Sequence, residues 1–427
     1  MIHPAGQPSL VYADAQGNIT DFQDLHAAGM SAGSFLPPSK NDFIPLPEGS
    51  ELFVLPGRLP IGCDKDSGEP LVLEEDPYNP GEKIQAVAAF MSPAHTAVLN
   101  SAYQTTDKAP RLPLFAYTAL GWYQDQFWTT AFRSDRDIRQ DCAQFNQNEI
   151  NIKTAKKLKQ HKHNRLVQHL GKCCLTYACP AARNYFLGRW EAPLPTSPTC
   201  NARCVGCISL QASGKCSATQ DRIQFVPTPA EISQIAIPHL QEAEDAIVSF
   251  GQGCEGEPLL QADTIEKAII LIRNKCDRGT INLNSNSSLP QSVKRLAAAG
   301  LDSLRVSLNS AQDNYHHSYY RPQNFSLTDV FNSIQIMKEA HKFVSLNYFI
   351  LPGFTDSPAE YKALYSLLTT FQPDRIQLRN LNMDPEWYLR CVGIDKPVKS
   401  MGMRNWLKKL RNDFPALQLG YFNPFLG

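Results

Sequence analysis

Cys200, Cys204 and Cys207 sit in the stretch Ser197-Pro-Thr-Cys-Asn-Ala-Arg-Cys-Val-Gly-Cys-Ile208 and place three thiols on one short loop at spacing CxxxCxxC. Soft thiolates select zinc, copper(I) or iron–sulfur clusters. Structural zinc is closed by four protein ligands, and this loop supplies three. The spacing therefore describes a metal centre with one open position, where an exogenous molecule can bind and react. The other reading of the same thiols is a zinc knot closed by Cys216.

The elements that must position this loop follow it along the chain. Ala246-Ile-Val-Ser-Phe250 has the apolar character of a buried strand, and Thr264 to Arg273 has the periodicity of a helix. Thr280-Ile-Asn-Leu-Asn284 reads as a strand, and Pro290 to Ala299 as a helix that Gly300 stops. The alternation continues through strand Leu304–Leu308, helix Leu327–Ala340, strand Val344–Ile350, helix Pro358–Thr370 and strand Arg375–Arg379. Strands alternating with helices of this length imply βαβ units and a parallel sheet. About six units fit after Pro193, fewer than a closed eight-unit barrel requires.

A CxxxCxxC loop opening about six βα units resembles the radical S-adenosylmethionine (SAM) superfamily. The resemblance implies that Cys200, Cys204 and Cys207 ligate three irons of a 4Fe–4S cluster, with SAM on the fourth. It further implies one-electron cleavage of SAM to methionine and a 5′-deoxyadenosyl radical, which abstracts hydrogen from a substrate. The segment Gly251-Gln-Gly-Cys-Glu-Gly-Glu-Pro258 resembles the family's Gly-Gly-Glu-Pro turn, which makes Gly256 and Glu257 the site for SAM's amino group. Asn284 and Asn286, in Asn284-Ser-Asn-Ser-Ser288, match the end of the family's third strand. Ser307 and Asn309 on the fourth strand fall where the family contacts SAM's ribose and carboxylate, and Gln377 and Arg379 lie on the sixth. Arg305, Ser307 and Asn309 share one face of their strand and so can all line a barrel interior.

Two positions depart from the family pattern. Gly206 stands where an aromatic residue usually precedes the third cysteine, and Glu255 replaces the first Gly of Gly-Gly-Glu-Pro, adding a carboxylate near the amino-group site. Cys254, inside the same turn, reads either as a small buried hydrophobe or as a catalytic hydrogen-atom or thiyl participant. Cys173, Cys174 and Cys179 raise the question of an auxiliary cluster, completed from afar by Cys63, Cys142 or Cys391. His316 and His317 either face substrate at the barrel mouth or begin the next helix. Arg321 and Arg379 are candidates for gripping an anion, since a guanidinium binds carboxylates bidentately.

These readings divide the 427 residues into a β-rich accessory domain (1–147), a basic helical linker (148–192), a radical SAM core barrel (193–390) and a C-terminal extension (391–427). The fold class is α/β: a partial (βα)6 TIM-like barrel preceded by a β-containing accessory domain. Zero net charge argues against bulk binding to nucleic acid or an anionic membrane. No stretch approaches the ~18 apolar residues of a membrane helix, and Met1-Ile-His-Pro-Ala-Gly-Gln does not open a signal peptide. Twelve cysteines without an export signal fit reduced thiols, and hence a cytoplasmic protein. The expected partners are SAM, a reductant such as flavodoxin or ferredoxin, and a substrate that is either a peptide or protein or a small anionic metabolite. The contrasting reading, a metal-stabilised nucleic-acid or protein-binding module without SAM chemistry, rests on the basic run from Lys153 to Arg165.

Overall fold

The computed structural model describes residues 3–211, 216–396 and 399–427. At its centre lies a seven-stranded sheet, wholly parallel and in simple chain order. Its strands are Glu191–Pro193, Ile247–Phe250, Thr280–Ser285, Ser303–Leu308, Phe343–Ile350, Arg375–Asn380 and Gln418–Gly420, called first to seventh below. Helices Pro229–Glu242, Ala262–Arg273, Pro290–Ala299, Leu327–Glu339, Pro358–Phe371 and Met403–Asp413 connect them in turn. Six strand–helix units and one closing strand thus form the partial barrel. Residues read from sequence as linker and as C-terminal extension supply its two edge strands.

Two-residue alternation explains the layering. Leu304, Val306 and Leu308 of the fourth strand, and Val344, Leu346, Tyr348 and Ile350 of the fifth, point outward into one apolar core shared with the helices. Each such side chain contributes about 1.5–3 kcal/mol on burial. The intervening residues point inward and are mostly polar, Arg305 and Ser307 on the fourth strand and Ser345 and Asn347 beside Phe349 on the fifth. Barrel interiors are normally filled with branched apolar side chains, so a polar lining signals a ligand-bearing interior. Ser307, Asn347 and Gln377 stand in register across the fourth, fifth and sixth strands.

One residue after the seventh strand gathers this interior. Asn423 donates from Nδ2 to the Glu191 carboxylate (2.7 Å) and accepts at Oδ1 from Gln377 (3.0 Å), joining the first strand to the sixth. Ser249 of the second strand donates to the same Glu191 oxygen at 2.6 Å.

The chain before the barrel holds an eleven-stranded and a three-stranded antiparallel sheet, followed by helices Gln147–Gln160, Arg165–Leu175 and Pro180–Leu187. Part of the basic run is consumed in packing rather than displayed. Lys157 lies 4.0 Å from the Tyr185 ring centroid and donates to the Tyr185 carbonyl at 2.9 Å, while Lys153 pairs with Glu149 at 2.7 Å. The strand-rich region packs against the mouth of the barrel. Arg58 and Asp384 form an ion pair at 3.0 Å with side chains only 2% and 1% exposed, and the Leu112 amide donates to the same carboxylate at 3.2 Å. Asn380, at the end of the sixth strand, accepts from the Ala97 amide (2.9 Å) and donates to the His95 carbonyl (3.0 Å). Among the described residues no helix is long and apolar enough to cross a membrane.

Replacing Asn423 by Ala removes one hydrogen bond from Glu191 and one from Gln377, on opposite sides of the barrel, each worth about 0.5–3 kcal/mol. The expected outcome is a lower midpoint of thermal and urea denaturation for Asn423→Ala; an unchanged midpoint would show that the interior network does not hold the strands together.

Candidate active site

The three-thiol loop is clasped from two sides. On one side the amides of Gly256 and Glu257 donate to the carbonyls of Ser197 (2.7 Å) and Thr199 (2.8 Å). A Cβ on residue 256 would lie 1.9 Å from the Thr199 oxygen, so only glycine lets turn and loop approach this closely. On the other side Arg203 and Val205 donate to the carbonyls of Tyr320 and Tyr319 at 2.9 and 3.0 Å, and Gln323 donates to Asn201 at 2.8 Å.

Two buried carboxylates brace the clasp. Glu257 accepts at Oε1 from Ser285 Oγ (2.6 Å) and the Leu259 amide (3.0 Å), and at Oε2 from the Asn286 amide (2.9 Å). Glu255 accepts at Oε2 from the amides of Thr196 (2.7 Å) and Ser197 (2.9 Å), and at Oε1 from that of Gln252 (2.6 Å). Burial raises both carboxyls to about 7, against the lowering effect of these donors. Glu255 therefore supports the strand leading into the loop. Its charge also acts on nearby Glu257, whose carboxyl it helps to raise.

The asparagines after the third strand work in the same frame. Asn286 donates to Asn201 Oδ1 in the thiol loop at 2.8 Å, and Asn284 donates to the Gly251 carbonyl at 2.9 Å. Gly251 has φ +77°, and a Cβ there would strike the Asn284 oxygen at 1.7 Å. On the fourth strand Ser307 is half-buried. Asn309 is fully buried and donates to Tyr315 O and Tyr388 Oη, both at 3.1 Å, while its Oδ1 has no partner.

Lower in the barrel two guanidiniums share the interior. Arg379 lies 3.8 Å from the Tyr421 ring centroid, and Arg305 donates to Gln377 Oε1 at 3.4 Å. The Nε of each is buried without a partner. Burial, with Arg379 adding like charge, pulls Arg305 down to about 9. Sequence reasoning took Arg305 only for its shared face; its alternation with Ser307 and Asn309 was the available signal.

Other expectations resolve differently. Arg321 caps the Asp313–Tyr320 helix in the left-handed region and is exposed, so it does not converge with Arg379. His316 is buried in the same helix against Tyr320 and Phe325, with neither ring nitrogen bonded. Tyr319 Oη and the Met383 sulfur crowd Gly206, each 3.0 Å from where a Cβ would stand, so an aromatic side chain has no room at that position. Cys254 points away from the thiol loop and lies with Cys173 and His169.

The loop suits a polynuclear centre. All three thiols are free and partly buried. Burial, with Glu257 nearby, pushes Cys200 up to about 11, and burial with the neighbouring thiols raises Cys204 well above the usual range. Such thiols ionise together only around a compensating cation, as a cluster provides. Cys216 does not complete a zinc knot here; its thiol faces the Leu112 carbonyl at 4.0 Å.

Residues 194–363 match the profile of the Radical SAM superfamily. No curated protein matches the chain. Among solved structures, a radical SAM methyltransferase from Sphaerobacter thermophilus shares 12% identity over 70% of this chain and 72% of that one, with a TM-score of 0.36. SuiB of Streptococcus suis bound to S-adenosylmethionine shares 14% over 57% and 54%, at 0.39. Methylornithine synthase shares 13% over 56% and 68%, at 0.37. The chain thus spans little more than half of SuiB. Structural likeness at these scores carries no argument, and the profile match stands by itself. It covers the thiol loop, the clasping turn and the second to fifth strands, so this stretch of the chain is similar to the Radical SAM superfamily.

Proposed function

We propose that Cys200, Cys204 and Cys207 hold a 4Fe–4S cluster, that SAM is cleaved reductively beside it, and that the substrate is a compact anion. The observation carrying the substrate class is the pair Arg305 and Arg379, two inward guanidiniums with unpartnered Nε atoms. When bound, the cluster and SAM would supply one-electron sulfonium cleavage and hence hydrogen-atom abstraction.

The chain's own residues do the positioning. Glu257 has lone-pair capacity beyond its three donors and offers it to an ammonium, whose charge would return the buried carboxyl to its ionised form. Asn309 Oδ1 and Ser307 face the interior where a ribose hydroxyl can donate to them. Asn284, Asn286 and Gly256 act by fixing turn against loop, and Gln377 by orienting Arg305. Arg379, flat on Tyr421, presents its free edge to a carboxylate or phosphate. The polar lining and the strand-rich region packed over the mouth favour a small ligand over a folded protein. Arg222 donates from Nη2 to the Cys207 sulfur (3.4 Å) and from Nε to Ser209 Oγ (3.2 Å), placing a positive charge beside one cluster ligand.

Anaerobic reconstitution with dithionite, in place of a flavodoxin or ferredoxin, is expected to give about four irons per chain and to release 5′-deoxyadenosine. Replacing all three loop cysteines by Ala should abolish both; a reduced cluster that cleaves no SAM overturns the reading. Small carboxylic or phosphorylated acids should stimulate 5′-deoxyadenosine release saturably. Arg379→Gln should raise the half-saturating concentration about 10- to 100-fold, the size of a lost charged hydrogen bond, and leave unstimulated cleavage unchanged. Stimulation by peptides alone would reject the anionic-metabolite assignment. In Arg222→Leu the cluster potential should fall by tens of millivolts in an EPR-monitored titration, because a donor to a ligand sulfur stabilises the reduced state. An unmoved potential would show that Arg222 does not touch the cluster.

A further inference from the structure

Outside the clasped loop, a second set of soft donors converges. His169 and Cys173 are four residues apart on the Arg165–Leu175 helix, and so share one face of it. That face meets the turn after the second strand, where Cys254 sits. One ligand atom from each of the three lies within 4.8 Å of the others, and His169 Nε2 is 3.6 Å from the Cys173 sulfur. Cys173 is 2% exposed and Cys254 6%, while His169 is half-buried and leaves one side open.

We propose that His169, Cys173 and Cys254 form a mononuclear zinc site. Two thiolates and an imidazole are a borderline-soft set that suits zinc. A tetrahedral ion with sulfurs at about 2.3 Å and nitrogen at about 2.0 Å fits after a contraction of the trio. A water fills the fourth position on the His169 side. Adjacent Cys174 is excluded, because its thiol turns to Thr154 Oγ1 at 3.5 Å. The role of the ion is mechanical. Cys254 directly precedes Glu255, Gly256 and Glu257, so zinc would pin the turn that clasps the thiol loop to a helix outside the barrel. This gives Cys254 a ligand's place rather than that of a hydrogen-atom donor.

The test is made on the full chain with Cys200, Cys204 and Cys207 replaced by Ala, so that neither the cluster nor SAM chemistry enters the measurement. After dialysis against zinc, elemental analysis should find about one zinc per chain. Cobalt(II) should give the near-ultraviolet thiolate charge-transfer band and visible bands of a tetrahedral site. His169→Ala, Cys173→Ser or Cys254→Ser should each lose the metal, whereas Cys174→Ser should keep it. The cobalt spectrum of the parent needs no ligand variant, so a variant that fails to fold does not blunt the test. Absence of a cobalt band, zinc that survives all three substitutions, iron in place of zinc, or a Cys173–Cys254 disulfide in peptide mapping of freshly purified protein would each overturn the proposal.

Discussion

The contact on which the site depends is the meeting of two backbones at Gly256. The thiol loop has no regular secondary structure of its own, so its shape is borrowed from what it touches. With no side chain at residue 256, the turn comes close enough for two consecutive amides to bond the loop's carbonyls. Glu255 and Glu257 flank this glycine and face opposite ways, one toward the strand that enters the loop and the other toward the third strand. Five amides and two hydroxyls satisfy these two buried carboxylates, which is how their desolvation is tolerated. One short segment of turn thereby fixes the loop that carries the three thiols and sets Glu257 beside it.

The barrel supplies the second constraint. Its outer face is an ordinary apolar core, but its inner face carries a largely polar lining that includes two guanidiniums. Arg305 and Arg379 point into a space where Glu191 is already bonded to Ser249 and Asn423. An excess of buried positive charge costs free energy unless an anion completes it. By contrast, the open depression of about 630 Å³ at the other end of the strands is lined by Arg273, Asp302, Lys338, Lys342 and Asp374, which already pair with one another.

Much of this was legible in the residues. The helix from Pro290 to Gly300 announces both its ends: proline needs no amide donor in a first turn, and glycine accepts the left-handed cap. Period-two alternation in Arg305–Asn309 gave the face those residues share. What escaped was everything joined across long separations. The amides of Thr196 and Ser197 that hold Glu255 were out of view, because sequence shows its neighbours along the chain and not the segment that crosses it. Arg321 and Arg379 looked equivalent, since a guanidinium's direction depends on which element carries it. The pairing of Cys254 with Cys173 was hidden by 80 intervening residues; a histidine and a cysteine four apart on one helix were the trace it left. The seventh strand is three residues long, too short for any periodic signal.

Asn423 has a consequence for the order in which this molecule can be made. It lies beyond every strand it serves, so a growing chain carries Glu191, Ser249 and Gln377 into the light of solvent long before their common partner exists. Until then water must hydrate the interior in its stead, and the nascent barrel stays wet and loosely joined. The arginines inside are kept solvated over the same interval. Closure of the polar network across the barrel therefore has to wait for a single amide that lies after the seventh strand.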